Sequence, residues 1–236
     1  MTWSLLARDA DGRFGIAIAS RFFAVGALCI HARRGVGALA TQALMNPLYG
    51  AQGLDLLAQG LSPEAVVARL TQVDAGQSQR QVHVLAAQGQ PYAHTGNECV
   101  DWCGHYLGED FSVAGNMLAG PAVVAETARA FRDTAGQPLG RRLLAAMAAG
   151  EAAGGDKRGR QGAALRIQAD EDYPQLDLRV DDHPEAITEL HRLYDKSLER
   201  FQPFVSCLAG RHHPAGLTDR ALIEARIQAF HAQSGH

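Results

Sequence analysis

The sequence predicts a mixed α+β domain in which two mostly antiparallel sheets stack face to face and helices cover their outer faces. Three observations predict it. Short apolar runs come in pairs joined by turn residues, which is the mark of hairpins. Helical runs also come in pairs, set between groups of strands. The resulting order is strands, two helices, strands, two helices, strands, helix, which is neither strict βαβ alternation nor all-β.

The elements follow in order. Residues 3–8 and 14–20 read as a hairpin around the turn signal DADG, where Gly12 is free to take positive φ. Residues 27–32 and 36–41 read as a second hairpin of small and β-branched residues around Arg33–Gly35. Residues 50–59 and 63–73 read as helices. Ser62 is placed as the N-cap of the second, with Pro63 in its first position and Val66, Val67 and Leu70 on one face. Residues 81–86 and 91–95 make a third hairpin turning at Gln88-Gly89, and 111–116 make another strand that ends in a Gly115-Asn116 turn into a helix. Two alanine-rich helices follow at 119–135 and 138–150, then strands at 162–168 and 176–180. The run 184–200 is a strongly amphipathic helix with Ile187, Leu190, Leu193, Tyr194 and Leu198 on one side. Residues 1–200 are therefore expected to form one domain, and 201–236 a partly helical C-terminal extension.

Bulk properties narrow the function. The chain has 236 residues, 47% of them hydrophobic, enough for one large core. A formal net charge of −3 with no basic stripe argues against nucleic acid as a partner. No apolar run approaches a bilayer span, and the first residues lack the pattern of a signal peptide, so a cytoplasmic location is expected. The four cysteines read as free thiols. A homodimer is expected on general grounds.

Hairpin pairing places Thr2 opposite Ser20 and brings Thr41 and Gln42 to the same end, with Arg33 and Arg34 at the other. Polar residues thus gather where β pairing begins: Thr2, Ser20, Arg21, Thr41 and Gln42. A threonine at a free N-terminus can act as a nucleophile. Its own α-amine, with a pKa near ~8, can take the hydroxyl proton once Met1 is removed. Arg21 could favour the neutral amine but could not be the base. Oxyanion donors are sought at the Gly115-Asn116 backbone and in the side chains of Asn116 and Gln42, the two side chains being expected to hold either the oxyanion or the amine.

Five stretches carry a resemblance: ASRFFAVGA (19–27), GVGALATQA (35–43), AGNMLAGP (114–121), GGDKRGRQGAAL (154–165) and DLRVDDHP (177–184). In this order they resemble the bacterial and archaeal domain-of-unknown-function family ten-twenty-eight over roughly residues 2–200, a family placed among the N-terminal nucleophile hydrolases. The resemblance implies a four-layer αββα sandwich. It implies Thr2 as nucleophile, the Gly115-Asn116 turn beside its amine, and Asp156 as the group that orients the amine. Proteasome-like members follow that aspartate three residues later with a serine, where Gly159 stands here. They also carry a lysine and an aspartate in the regions that read Val25-Gly26 and Ala19-Ser20 here, and Gly162 replaces a serine usual in the family.

Other constellations admit plainer readings. His94, Cys99, Cys103 and His105 are a zinc set by ligand type, but the spacing H-x4-C-x3-C-x-H matches no standard pattern, and packing thiols with loop histidines is the plainer account. His94 is also placed at the pocket border, at the end of its strand. GGDKRGRQ lacks P-loop spacing, yet Arg158 and Gln161 are placed to touch a polar substrate. Asp182 or His183 before Pro184 suits a helix cap. The sequence reading is a cofactor-free, metal-free amidohydrolase for a small linear or cyclic amide. Thr2, Asn116, Asp156 and Gln42 are its catalytic residues, and Ser20, Arg21, Thr41, His94, Arg158 and Gln161 contact its substrate. The alternatives are a non-catalytic binding or structural protein on the same sandwich, or a zinc-dependent protein using residues 94–105.

Overall fold

The computed structural model describes residues 2–234; Met1, on which the expectation of N-terminal processing falls, lies outside them. The first sheet contains β1 (Thr2–Arg8), β2 (Phe14–Ser20), β7 (Trp102–Leu107), β8 (Phe111–Leu118), β9 (Gly162–Gln168) and β10 (Leu176–Val180), in the spatial order β10-β9-β2-β1-β8-β7. The second contains β3 (Ile30–Arg33), β4 (Gly37–Ala43), β5 (Arg80–Ala86) and β6 (Tyr92–Thr95), in chain order. Every pairing is antiparallel.

Strand periodicity of two sorts the side chains. Trp3, Leu5 and Ala7 of β1 and Val113 of β8 face outward. They meet α4 (Pro121–Asp133), α5 (Leu139–Ala152) and α6 (Ala186–Glu199) through Val123, Leu143, Met147, Leu190 and Tyr194. Leu39, Val82 and Val84 of the second sheet face α2 (Leu48–Ala58) and α3 (Pro63–Gln72), where Leu54, Val66, Val67 and Leu70 cover them. Between the sheets lie Leu6, Phe14, Ile16, Ile18, Ala38, Ala40 and Leu85. These three clusters are the interfaces of a helix–sheet–sheet–helix stack. α3 starts as expected: the Ser62 hydroxyl accepts from Ala65 N at 3.2 Å, and Pro63 opens the helix.

Three expectations need correction. The run 27–32 is not one strand: a short helix α1 (Val25–Leu28) precedes β3, starting from Ala24 in the left-handed region. The cause is tertiary, because Val25 is buried against the inter-sheet core and Ala24 N donates to Asp181 O. β7 escapes sequence reading because it is an edge strand whose residues are only partly buried, so it carries no alternation. Gly115-Asn116 is not a turn, since β8 continues through it to Leu118. What occurs there is a bulge. Trp102 pairs with Leu118 and Gly104 with Gly115, so Asn116 and Met117 together oppose Cys103. The extra residue flips the parity of the strand and sends Leu118 to the outer core beside Trp3.

The C-terminal extension continues α6 through α7 (Phe201–Val205) into α8 (Arg220–Ser234). It is fastened by an Arg200–Glu224 ion pair, by a hydrogen bond between His231 Nε2 and Glu199 O (2.9 Å) and by buried Ile227. Among the described residues no helix is long and apolar enough to cross a membrane.

Candidate active site

The layer between the sheets changes character along its length. At the Thr2 end its inward positions are polar: Thr2, Ser4, Ser20, Gln42, Gln81, His83, Ser112 and Asn116 are all buried. The register that brings them together is the expected one, with Thr2 opposite Ser20 on one side and Asn116 on the other. Thr2 Oγ1 donates to Ser20 Oγ at 3.1 Å. Both hydroxyls line a cavity of about 250 Å³ that also takes in Gln42, Asn116, Met117 and Arg158.

Behind the cavity a chain of hydrogen bonds crosses from one sheet to the other, and its direction can be worked out. Gln81 Nε2 faces three acceptors: Thr95 Oγ1 (2.9 Å), Gly104 O (3.1 Å) and Gly115 O (2.9 Å). Gln81 Oε1 therefore accepts, from Gln42 Nε2 (2.8 Å) and Asn116 Nδ2 (3.1 Å). Gln42 Oε1 accepts from Ser4 Oγ at 2.7 Å. The Ser4 proton being used, His83 Nε2 must donate to Ser4 Oγ (2.8 Å), and bare Nδ1 accepts from the Ser112 hydroxyl (2.8 Å). Burial, reinforced by the charge of His105, pushes His83 down to about 3, so this imidazole is neutral.

The chain fixes what each carboxamide can offer. Asn116 Nδ2 is committed to Gln81 Oε1 and, more loosely, to Thr2 O (3.4 Å), while its Oδ1 is sealed from solvent and finds no donor among the described residues. Asn116 thus presents an acceptor, suited to an N–H group and not to an oxyanion. Gln42 uses one of its two amide hydrogens on Gln81, which leaves the other as a donor at the cavity wall.

Backbone strain gathers around the same cavity. The non-glycine residues at positive φ among those described are Ala24, Ala43, Asp101 and Met117. Ala43 and Met117 line the cavity, and Ala24 and Asp101 directly adjoin its lining residues Val25 and Val100. Each such residue costs roughly 1–2 kcal/mol and persists only where its surroundings enforce it. Two carboxylates brace neighbouring segments. Asp156, with a side chain 2% exposed, accepts from Arg21 N (2.7 Å), from Arg158 N (2.8 Å) and from the Arg158 guanidinium (3.2 Å). Asp74 accepts from Arg80 Nε (3.0 Å), Tyr49 OH (2.8 Å), Asn46 Nδ2 (3.2 Å) and Gly76 N (2.8 Å). The Arg80 hydrogen bond, aided by the others and opposed by burial, holds Asp74 well below the usual carboxylate range. Arg80 also donates to Leu44 O, so this second clasp shapes the cavity wall at 43–46. Sequence reading missed Asp74 and the strained positions. The missed histidine and glutamine of the chain, His83 and Gln81, occupy alternate inward positions of β5, and that period was the available signal.

Several expected contacts do not converge here. Thr41 faces the outer side of β4 and supports the loop by accepting from Asn46 N (3.2 Å). His94 Nε2 pairs with Gln77 O (2.9 Å), away from the cavity. Gln161 donates to Asp182 (3.1 Å) and lines a separate cavity of about 170 Å³, with Asp156 and Ser20, on the other side of the first sheet. Arg21 donates to Arg158 O (2.6 Å) and reaches the site only through it. Parity explains Thr41 and His94, which sit one residue out of phase with Gln42 and Thr95.

The zinc reading also fails on geometry. Among the described residues no group of three or more His, Cys, Asp or Glu side chains could hold a metal ion. His105 pairs with Thr95 Oγ1 (3.1 Å), Cys99 donates to Arg80 O (3.5 Å) and Cys103 donates to Cys99 O (3.7 Å). Thiol chemistry is disfavoured as well. Cys29 lines the cavity, but burial pushes it up to about 12, and burial raises Cys99 too, so neither supplies a thiolate.

Comparison with known proteins agrees with this architecture. The family DUF1028, described as a family of unknown function, matches residues 2–190. The crystal structure of protein SPO2555 from Silicibacter pomeroyi, also of DUF1028, superposes with a TM-score of 0.86 at 30% identity, covering 93% of this chain and 96% of that one. No curated protein matches the chain.

Proposed function

The chain belongs to the DUF1028 family, and from that premise we propose that it is an amidohydrolase of the N-terminal nucleophile type, with Thr2 as nucleophile. The observation that carries the reading is a buried threonine hydroxyl at a cavity beside a sealed acceptor, Asn116 Oδ1, that lacks a donor. Removal of Met1 would create an α-amine on Thr2, and that amine is the donor Asn116 lacks.

The chemistry then runs on this chain's own groups. The Thr2 amine takes the proton of Oγ1 as Oγ1 bonds to the amide carbonyl carbon. The second N–H of Gln42 holds the resulting oxyanion. The ammonium, steadied by Asn116 Oδ1, returns its proton to the leaving nitrogen as the C–N bond breaks, leaving an acyl ester on Thr2. A water, deprotonated by the same amine, attacks the ester, and loss of Oγ1 releases the carboxylic acid and restores the threonine. Ser20 orients Oγ1, and Asp156 acts through Arg21 and Arg158. The substrate is a small linear or cyclic amide, the enzyme needs no cofactor, and it works as a cytoplasmic homodimer.

The test is a screen of small amides with native protein and Thr2→Ala in parallel, together with intact mass. Loss of Met1 and a drop in hydrolysis of at least about 10³-fold in Thr2→Ala are expected. Met1 retained in most molecules, or equal turnover by both proteins, would overturn the reading. A binding protein on the same scaffold is favoured by one observation, the buried Val25 in the region where proteasome-like members carry a charge. Amide binding without turnover would select it.

A further inference from the structure

The proposed mechanism uses the floor of the cavity and leaves its walls unexplained. Most are apolar, namely Phe22, Val25, Leu44, Met45, Val100 and Met117, and Gln79, Glu98 and Arg158 complete the lining. Three of these come from separate stretches of chain yet stand open to solvent at one mouth: Phe22 is 44% exposed, Leu44 58% and Val100 56%. Single exposed apolar residues are ordinary, but a set converging on one concave mouth marks a binding surface.

Each of these residues lies at, or within two residues of, a strained backbone position. Leu44 follows Ala43, Val100 precedes Asp101, Phe22 lies two residues before Ala24, and Met117 is itself at φ 52°. Hydrogen bonds brace two of these places: Leu44 O accepts from Arg80, Leu44 N donates to Gln79 O (3.2 Å), and Arg21 N, just before Phe22, donates to Asp156. A loop that merely connected elements would relax to ordinary dihedrals and fold these side chains down. Here the fold bears strain at four places and keeps apolar groups around a polar floor.

We infer that the cavity is a subsite for an apolar acyl or aryl group, so that the substrates are amides of apolar carboxylic acids and not of small polar or charged ones. A polar floor under apolar walls fits a molecule with a carboxamide at one end and a hydrocarbon at the other. A cavity of about 250 Å³ limits that hydrocarbon to a few carbons or one ring. This inference rests on the amidohydrolase reading for its chemistry but not for its binding.

The test is calorimetric binding of acetamide, butanamide and hexanamide to the full chain, to Leu44→Asp and to Val100→Asp, with turnover of the same three amides measured alongside. Affinity is expected to rise about fourfold per methylene until the cavity is filled. Either substitution should weaken hexanamide by about tenfold while barely changing acetamide, with thermal unfolding unaltered because both positions are exposed. Affinity independent of chain length would overturn the inference. So would equal losses for all three amides, or a concentration-dependent dimer that Leu44→Asp abolishes with no effect of chain length. Chain-length-dependent binding without turnover would sustain the subsite and sink the hydrolase. Equal kcat/KM for acetamide and hexanamide would do the reverse.

Discussion

The two ends of the sandwich solve the same structural problem in different ways. At the end away from Thr2, the space between turns is large, about 580 Å³, and its lining includes Gly35 and Gly89 at φ 62° and 83°. Left-handed backbone is carried there by glycine, at no steric cost. At the Thr2 end the cavity is less than half that size, and left-handed backbone is carried by Ala43 and Met117. The inter-sheet layer changes in parallel, from Leu6, Ile16, Ile18 and Leu85 to a hydrogen-bonded run through Gln81, Gln42, Ser4 and His83. Between these two cavities, volume favours the glycine-lined end. Conformational cost and buried polarity choose the other.

That contrast can be broken or sharpened by experiment. The largest effect should come from Thr2→Ala, which removes at least about 10³-fold of hydrolysis, while Gln88→Ala in the larger groove leaves the rate unchanged. Rates that respond equally to both would erase the distinction between the ends. Next, Asp156→Ala strands the hydrogen bonds of Arg21 N and Arg158 and should destabilise the fold by about 3 kcal/mol in a urea titration.

The buried imidazole gives a pH signature. Folded His83 takes a proton only near 3, whereas the unfolded chain takes it near ~6.5, so between those values unfolding binds protons and acid favours it. Its contribution is complete above ~6.5 and shrinks by about 2 kcal/mol between pH 7 and 5. His83→Gln should flatten that slope in pH-dependent thermal melts. A residual slope remains from His31 and His105, both shifted down chiefly by burial. An unchanged slope would mean that His83 titrates normally. The smallest effects compare the backbones directly. Gly35→Ala and Gly89→Ala meet no neighbouring atoms yet should each cost about 1 kcal/mol, whereas Ala43→Gly should gain up to ~1 kcal/mol by relieving strain. If Ala43→Gly stabilises the protein and weakens amide binding, the strain belongs to the site.

The sequence by itself determined much of the scaffold. Alternation and turn residues located both strands of the first hairpin and the pairing of Thr2 with Ser20, because hairpin register follows from local counting. Capping at Ser62-Pro63 and the apolar face of 184–200 likewise located α3 and α6 to within a few residues. The same counting put Gln42 at the Thr2 end. It could not see β7, whose half-exposed residues lack a period, nor the bulge at Asn116–Met117, whose cause is the partner strand. Only the tertiary structure decided that Gln81 and His83 meet Ser4 and Asn116, since those contacts span two sheets and depend on how the sheets stack. It also decided that Asn116 offers its oxygen and not its nitrogen, and that the histidines and cysteines at 94–105 go to separate partners. Local periodicity specifies which face a residue occupies; which residue waits on the facing sheet is set by packing, and the chemistry of this site lies in that choice.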